Sequence, residues 1–321
     1  MSAPPQAIDF AVPPVKLLLG CTAVGKSEVA IGLAPRLNAE ILSIDSMQVY
    51  RRMDIGTAKP TAEMRRAVPH HLLDLVEPHE SFSVAKFVES ADAAIADVRR
   101  RERTPLLVAG TPFYLMSVLY GLFEGPPADA ALRRSIRARA QTEGIAALHA
   151  ELRRVDPAAA ERIHPNDLMR IERALEVHAH TGRPISELQR QWSGPPRHVF
   201  QSFGLRRRSE DLASRINARV KAMIAEGLEK EVRGLLAEPS GMSPQARAAL
   251  GYAEMIEHVE GRLSLDDAVE RIKINTRRFA KSQRTWFRRF RETAWIDVAP
   301  ADGVADIVDR LADAAARAAA S

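Results

Sequence analysis

The sequence predicts an α/β fold: a P-loop-containing parallel sheet flanked by helices, with an inserted all-helical domain. Three observations carry this expectation. A short apolar run, Val15 with Leu17, Leu18 and Leu19, leads directly into GCTAVGKS at 20–27, which fits G-x-x-x-x-G-K-[ST]. Strand-like and helix-like segments alternate from there to residue 110, the rhythm of strands joined by crossover helices. Between 129 and 192 only helical patterns occur. They are bounded by the turn Glu124-Gly125-Pro126-Pro127 and by a return to strand character in HVFQSFGL at 198–205.

Taken in order, 1–14 holds four prolines and reads as a disordered lead-in without the layout of a signal peptide. Residues 15–19 form a buried-type strand, 26–37 a helix, and 40–44 a second strand. A polar loop, 45–60, follows, then a short strand at 72–76. Helical spacing of Val84, Phe87, Val88, Ala91 and Ile95 marks a helix at 83–100, and PLLVAG at 105–110 is a third buried strand. In the insertion, 123–195, Asp156-Pro157 opens one helix as cap and first residue, and a helix at 166–180 stops at Thr181-Gly182. The core then resumes over 196–321 and completes the domain begun by 15–122. It comprises the 198–205 strand, helices at 209–237, 245–259 and 264–290, a strand at 295–298 and an alanine-rich final helix.

Composition narrows the class. Hydrophobic residues make up 46% and charged residues 27% of the 321, an ordinary globular mix, and no apolar run approaches the length of a membrane span. A single cysteine, Cys21, excludes an internal disulfide and a cysteine-based zinc finger, so the expected address is cytoplasmic. The net charge is +5, with arginines clustered at 99–103, 206–208 and 284–291, which suits a polyanionic partner.

The motif at 20–27 needs its residue types for physical reasons. Gly20 and Gly25 let successive N–H groups turn inward, Lys26 brings an ammonium to phosphate oxygens, Ser27 can ligate Mg²⁺, and the following helix aims its positive end at the anion. Asp45 ends the second strand, on the side of the sheet where the phosphate loop lies. It is either a proton acceptor or metal-shell carboxylate, or a turn-capping Asp. Ser46, Gln48, Tyr50 and Arg51 beside it are suited to grip a base, or form a solvated loop. Thr111 follows the third strand and either donates to a phosphate oxygen or caps a helix. Arg215 and Arg219 share a helix face, as a phosphate clamp or as a basic stripe paired with Asp211 and Glu226. Arg170 and Arg173 likewise share a face. Lys281, Gln283, Arg284, Trp286, Arg288 and Arg289 interleave basic groups with an aromatic, which fits a nucleic-acid face or a helix packing Trp286 inward. The histidines lack metal-ligand spacing. No strand ends in the acidic residue typical of mechanical ATP hydrolases apart from Asp45, and this favours group transfer.

In this order, the stretches resemble the tRNA dimethylallyltransferase (tRNA isopentenyltransferase) family in its bacterial form. They are GCTAVGKS (20–27), DSMQVYR (45–51), MDIGTAKP (53–60), PHHLLDLVEP (69–78), AGTPFYL (109–115), DPAAAERIHPNDLMRIERALEVHAHTGRP (156–184), RINARV (215–220), LGYAE (250–254) and TRRFAKSQRTWFR (276–288). The resemblance implies transfer of the dimethylallyl group of dimethylallyl diphosphate to N6 of adenosine 37, just 3′ of a tRNA anticodon, with Mg²⁺ assisting departure of diphosphate. It implies Asp45 as general base, Thr111 at the bridging oxygen and Arg219 on the leaving group. It also implies a diphosphate cradle of Gly20, Thr22, Ala23, Val24, Gly25, Lys26 and Ser27. For the anticodon stem-loop it implies contacts from Asp45, Ser46, Met47, Gln48, Met169, Arg170, Arg173 and Arg288, and a monomeric enzyme. The chain departs from the family pattern in Ala109 and Pro112 around Gly110-Thr111, in Ala253, and in Ser282. The rival classes are a nucleoside or small-molecule kinase, an isopentenyltransferase acting on free adenylate, and a non-catalytic RNA-binding protein.

Overall fold

The computed structural model describes residues 13–319, so all but the last two residues of the expected lead-in lie outside the described residues. Of these, the residues up to Leu119 and from Arg197 onward form one compact unit and Tyr120–Pro196 a second.

The first unit is built on a six-stranded sheet in which every pairing is parallel, in the order β3-β2-β4-β1-β5-β6. Its elements run β1 (Val15–Leu19), α1 (Lys26–Arg36), β2 (Ala39–Ile44), α2 (Ala62–Ala67), β3 (His70–His71), α3 (Val84–Arg100), β4 (Thr104–Ala109) and α4 (Pro112–Tyr120). β1, β2 and β4 are almost wholly buried, which is why they read as unbroken apolar runs rather than as alternating strands. The helices take their expected starts: Ser83 caps α3 by accepting from the Lys86 amide, and Phe87, Val88, Ala91 and Ile95 form its buried face.

The second unit is helical: α5 (Ala130–Thr142), α6 (Ile145–Val155), α7 (Pro157–Arg162), α8 (Leu168–Thr181) and α9 (Ile185–Leu188). Its core gathers Ile136, Leu148, Leu152, Ile171, Leu175 and Val177. Asp156 caps α7 with Pro157 at its first position, and Gly182 closes α8 in the left-handed conformation.

The first unit resumes with β5 (Phe200–Arg206), α10 (Ser209–Ala225), α11 (Leu228–Leu236), α12 (Pro244–Arg247), α13 (Tyr252–Val259), α14 (Leu265–Phe287), β6 (Ala294–Asp297) and α15 (Val304–Ala319).

Three sequence expectations need correction. The strand expected at 72–76 is at His70–His71 instead. Leu72 and Asp74 turn the chain with φ of 66° and 55°, and Val76 keeps only an isolated bridge to Tyr50. The helices expected at 209–237 and 245–259 are each divided: left-handed Gly227 (φ 100°) ends the hydrogen-bond ladder of α10, while α12 stops at Arg247 and Gly251 (φ 89°) opens α13. Helix α4 was not foreseen: PFYLMSVLY is apolar nearly all round and buries six of its nine residues, so no one-sided period marks it.

Candidate active site

The ends of β1, β2 and β4 converge on one edge of the sheet. β2 pairs with β4 so that Ile44 faces Ala109, and β4 pairs with β1. The residues that follow these strands, Gly20, Asp45 and Gly110-Thr111, are therefore neighbours, at the place where open parallel sheets bind ligands.

On the β1 side the chain turns at Gly20, where a Cβ would stand 3.1 Å from the Leu205 carbonyl. Ala23 and Gly25 take φ of 62° and 109°, and such turns curl successive N–H groups into an anion-binding nest. Lys26 begins α1. Its ammonium folds back over the loop, donating to the carbonyls of Gly20 (2.6 Å) and Cys21 (3.0 Å). Burial pushes its pKa down to about 8; Cys21 and Asp45 act to raise it and Arg219 to lower it further. Ser27 is exposed in the first turn of α1. From α10, Arg215 Nε donates to the Ala23 carbonyl (2.8 Å) and Arg219 Nη1 reaches Thr22 Oγ1 (3.4 Å). The two arginines therefore face the phosphate loop, and Asp211 pairs with Arg207 instead of with them. Burial lowers the Arg219 pKa, and the Asp45 charge partly offsets this, so both ends of the site act on the same guanidinium.

On the β2 side Asp45 Oδ1 accepts from the amides of Met47 (2.8 Å) and Gln48 (3.3 Å), an Asx turn that fixes the carboxylate. Its Oδ2 lies against Gly110, where a Cβ would stand only 2.4 Å away. Thr111 Oγ1 accepts from the Ser46 amide (3.0 Å) and is 3.3 Å from Ser46 Oγ. Asp45, Ser46, Met47 and Thr111 are thus brought together. Tyr114, one helical turn on, has its hydroxyl pKa pushed up to about 12 by burial, with Tyr50 and Asp45 adding to the shift.

The loop that carries Asp45 is braced from within. Gln48 accepts from Ser43 Oγ (2.7 Å) and donates to the Thr57 carbonyl (3.1 Å), so its amide supports the loop. Tyr50 is fully buried and is not a surface platform for a base, which corrects the sequence reading of that residue. Lys59 is buried between Asp54, Asp74 and the Tyr50 carbonyl. Glu231 of α11 accepts from three consecutive amides, Asp54 and Ile55 at 3.0 and 2.9 Å and Gly56 at 3.4 Å, and from the Tyr252 hydroxyl at 2.5 Å.

α14 closes the site. Gln283, only 2% exposed, accepts from the Thr22 amide (2.7 Å) and donates to the Gly110 carbonyl (2.5 Å). Phe287 is core, while Arg288 at the helix end is exposed and Arg289 lies over the Trp286 ring at 4.3 Å. Neither Gln283 nor Glu231 was singled out for its role from the sequence. The available signal was a polar residue on the buried stripe Thr276, Ala280, Phe287, where an amide must find partners.

In the helical unit, Met169 is 78% exposed and Arg170 is exposed beside Asp167 at 3.4 Å. Arg173 is engaged inward, donating to Glu176 (2.5 Å) and the Pro126 carbonyl (3.0 Å). Burial alone would raise the Glu176 pKa; Arg133 and Arg173 instead hold it at about 2.

The family model described as IPP transferase matches residues 48–290, and one described as Isopentenyl transferase matches 13–74. The chain belongs to the IPP transferase family. A family relative, the tRNA dimethylallyltransferase of Geobacter metallireducens, is 47% identical over 88% of this chain and 91% of its own. Among solved structures, the full-length tRNA isopentenylpyrophosphate transferase of Bacillus halodurans is 39% identical, with a TM-score of 0.67 over 94% of this chain and 96% of that one. A eukaryotic dimethylallyltransferase solved acting on tRNA is 27% identical, with a TM-score of 0.71 over 95% of this chain and 77% of that one.

Proposed function

We propose that this IPP transferase moves the dimethylallyl group of dimethylallyl diphosphate to N6 of adenosine 37, 3′ of the anticodon of tRNA, releasing diphosphate. The observation that carries the reading is a carboxylate held by an Asx turn across one strand from a phosphate loop, with Lys26 in that loop and Arg219 against it, both within electrostatic reach of the carboxylate. An adenine amine is a weak nucleophile, and the carboxylate takes its proton at Oδ2 while Oδ1 stays with the loop amides. The C1–O bond of the donor breaks as the N6–C1 bond forms, and the electron pair leaves with diphosphate. Backbone N–H groups among 23–27, the Lys26 ammonium and the Arg219 guanidinium stabilise that leaving charge. The Thr111 hydroxyl, oriented by the Ser46 amide, can turn its proton to the bridging oxygen.

Mg²⁺ suits the donor chemistry. Ser27 offers an exposed hydroxyl at the start of α1, and this ion binds through few protein ligands, substrate phosphates and water. Among the described residues no group of three or more His, Cys, Asp or Glu forms a protein metal cage, which Mg²⁺ bound to phosphate does not need. When bound it supplies positive charge to the departing diphosphate. Asp45, Ser46, Met47, Met169, Arg170 and Arg288 are the proposed RNA contacts; Gln48 and Arg173 serve by shaping their surroundings. The proposed setting is a monomer in the cytoplasm. Among the described residues no helix is long and apolar enough to cross a membrane.

The deciding experiment incubates the protein with undermodified tRNA and either dimethylallyl diphosphate or ATP, followed by nucleoside analysis. The expected result is N6-dimethylallyladenosine in tRNA with the first donor and no consumption of ATP. Modification of free adenylate alone, or phosphate transfer from ATP, would replace this reading with one of its rivals.

A further inference from the structure

We infer that Gln283 is a positioning residue that sets the separation between the leaving-group half and the acceptor half of the site. The inference rests on the transfer reaction proposed above. Gln283 lies inside α14 on a stripe with Thr276, Ala280 and Phe287, where a polar side chain without partners is costly. Both ends of its amide are used: Oε1 accepts from the Thr22 amide and Nε2 donates to the Gly110 carbonyl. Thr22 belongs to the phosphate loop, and its hydroxyl is the atom that Arg219 reaches. Gly110 touches Asp45 Oδ2 so closely that no Cβ fits between them, and it precedes the Thr111 that holds Ser46. One planar group therefore ties the end of β1 to the end of β4, and through Gly110 to the carboxylate.

The residue type follows from the two bonds. A carboxylate cannot donate to Gly110, an ammonium cannot accept from Thr22, and asparagine is one methylene too short to span both. The need for a fixed span follows from the reaction. Displacement at carbon requires the amine and the departing oxygen in line, and an error of about 1 Å costs on the order of 10²-fold in rate. Neither half makes or breaks a bond to Gln283, so its effect is on geometry.

The test compares Gln283→Met, which keeps length and loses both bonds, with Gln283→Glu, which keeps only the Thr22 bond. Four quantities are read: melting temperature, pyrophosphate affinity, tRNA affinity, and the single-turnover rate with both substrates saturating. For Gln283→Met the expected result is affinities within about threefold of the parent and a rate lower by about 30- to 100-fold. Exchange of the Thr22 amide should also be faster by tenfold or more, with β1 core amides unchanged. Gln283→Glu should restore Thr22 protection without restoring the rate. A Gln283→Met protein turning over within threefold of the parent overturns the inference. So does a loss of rate explained entirely by a smaller folded fraction, or unchanged Thr22 protection. A parent protein that transfers nothing refutes the proposed reaction instead, and Thr22 exchange then still decides whether the brace exists.

Discussion

The phosphate loop and the Asp45 loop meet at one edge of the same sheet, yet they are built by opposite means. The phosphate loop is a backbone device. Its concavity comes from the dihedral angles of Ala23 and Gly25, its charge from Lys26 and the start of α1, and four of its eight residues are fixed by one short pattern. The Asp45 loop is a side-chain device. Residues 45–60 keep their shape through Gln48 to Thr57, Lys59 to Asp74, and Glu231 to three successive amides, with partners as far as 177 residues away in sequence. A backbone device tolerates exchange of its non-glycine side chains other than Lys26 and Ser27, and fails when its φ angles change. A side-chain device fails when a distant partner is lost.

The largest effect tests the acceptor half alone. Asn at position 45 still offers an oxygen to the amides of Met47 and Gln48, so the Asx turn survives while the proton acceptor is gone. Asp45→Asn should fold, bind pyrophosphate as the parent does, still bind tRNA within a few-fold, and lose about 10²–10⁴-fold in single-turnover rate. A rate within threefold of the parent would remove Asp45 from the chemistry and leave the loop as a binding surface only.

Glu231→Ala breaks the same loop from a distance. It leaves the amides of Asp54, Ile55 and Gly56 and the Tyr252 hydroxyl without their acceptor. Hydrogen bonds to a charged group contribute about 1.5–3 kcal/mol each at most, and water replaces part of the loss at this half-buried site, so a total near 2–3 kcal/mol is expected. Denaturant titration measures it. The comparison is sharpened if transfer falls with stability while pyrophosphate affinity does not move, because the phosphate loop makes no bond to Glu231.

These contrasts also explain what the sequence could reveal. The buried strands at 15–19, 39–44 and 104–109 were legible because a parallel sheet covered on both faces demands unbroken apolar runs. The phosphate loop was legible because its function is its local pattern, and Asp45 because it ends a strand beside that loop. The brace by Gln283 and the nest filled by Glu231 were not, since each depends on where two segments far apart in the chain come to rest. Tyr50 was misjudged for the same reason: an aromatic in a polar loop looks exposed until the bridge to Val76 puts it in the core. Lys26 shows the intermediate case, with its identity given by the motif and its depressed pKa given by packing.

That depressed pKa makes the phosphate half sensitive to pH. The ammonium is held in free protein only below about 8, against an ordinary 10.5. As pH rises through 8, pyrophosphate binding must first restore the proton, so affinity should fall by up to about tenfold per pH unit above that point. Stability moves the other way. Between about 8 and 10.5 the unfolded chain binds the extra proton, so the contribution of this group to stability rises with pH across that window. Lys26→Met should abolish both trends, which separates them from titration of pyrophosphate itself. Calorimetry from pH 7 to 9.5 on the two proteins measures the first, and denaturant titration over pH 8 to 10.5 the second.

The smallest effect lies outside both loops, at the end of α14. Arg288 is exposed beyond the last buried turn, while its neighbour Arg289 is engaged over Trp286. If the exposed guanidinium meets one RNA phosphate, its removal releases one fewer set of counterions. The slope of log affinity against log salt for tRNA should then shrink by about 0.7–0.9 for Arg288→Ala. The affinity itself should drop only a few-fold at physiological salt, and pyrophosphate binding should not change. Arg289→Ala should alter the slope less, because its charge is partly turned to the ring. Equal slopes for the parent and Arg288→Ala would detach this helix end from RNA binding. A change in pyrophosphate affinity would show instead that Arg288 acts on the phosphate loop through Phe287 and the buried side of α14. The proposed tRNA-binding and diphosphate-binding surfaces of that helix would then be one device, and the division between backbone-built and side-chain-built halves would fail at its nearest point of contact.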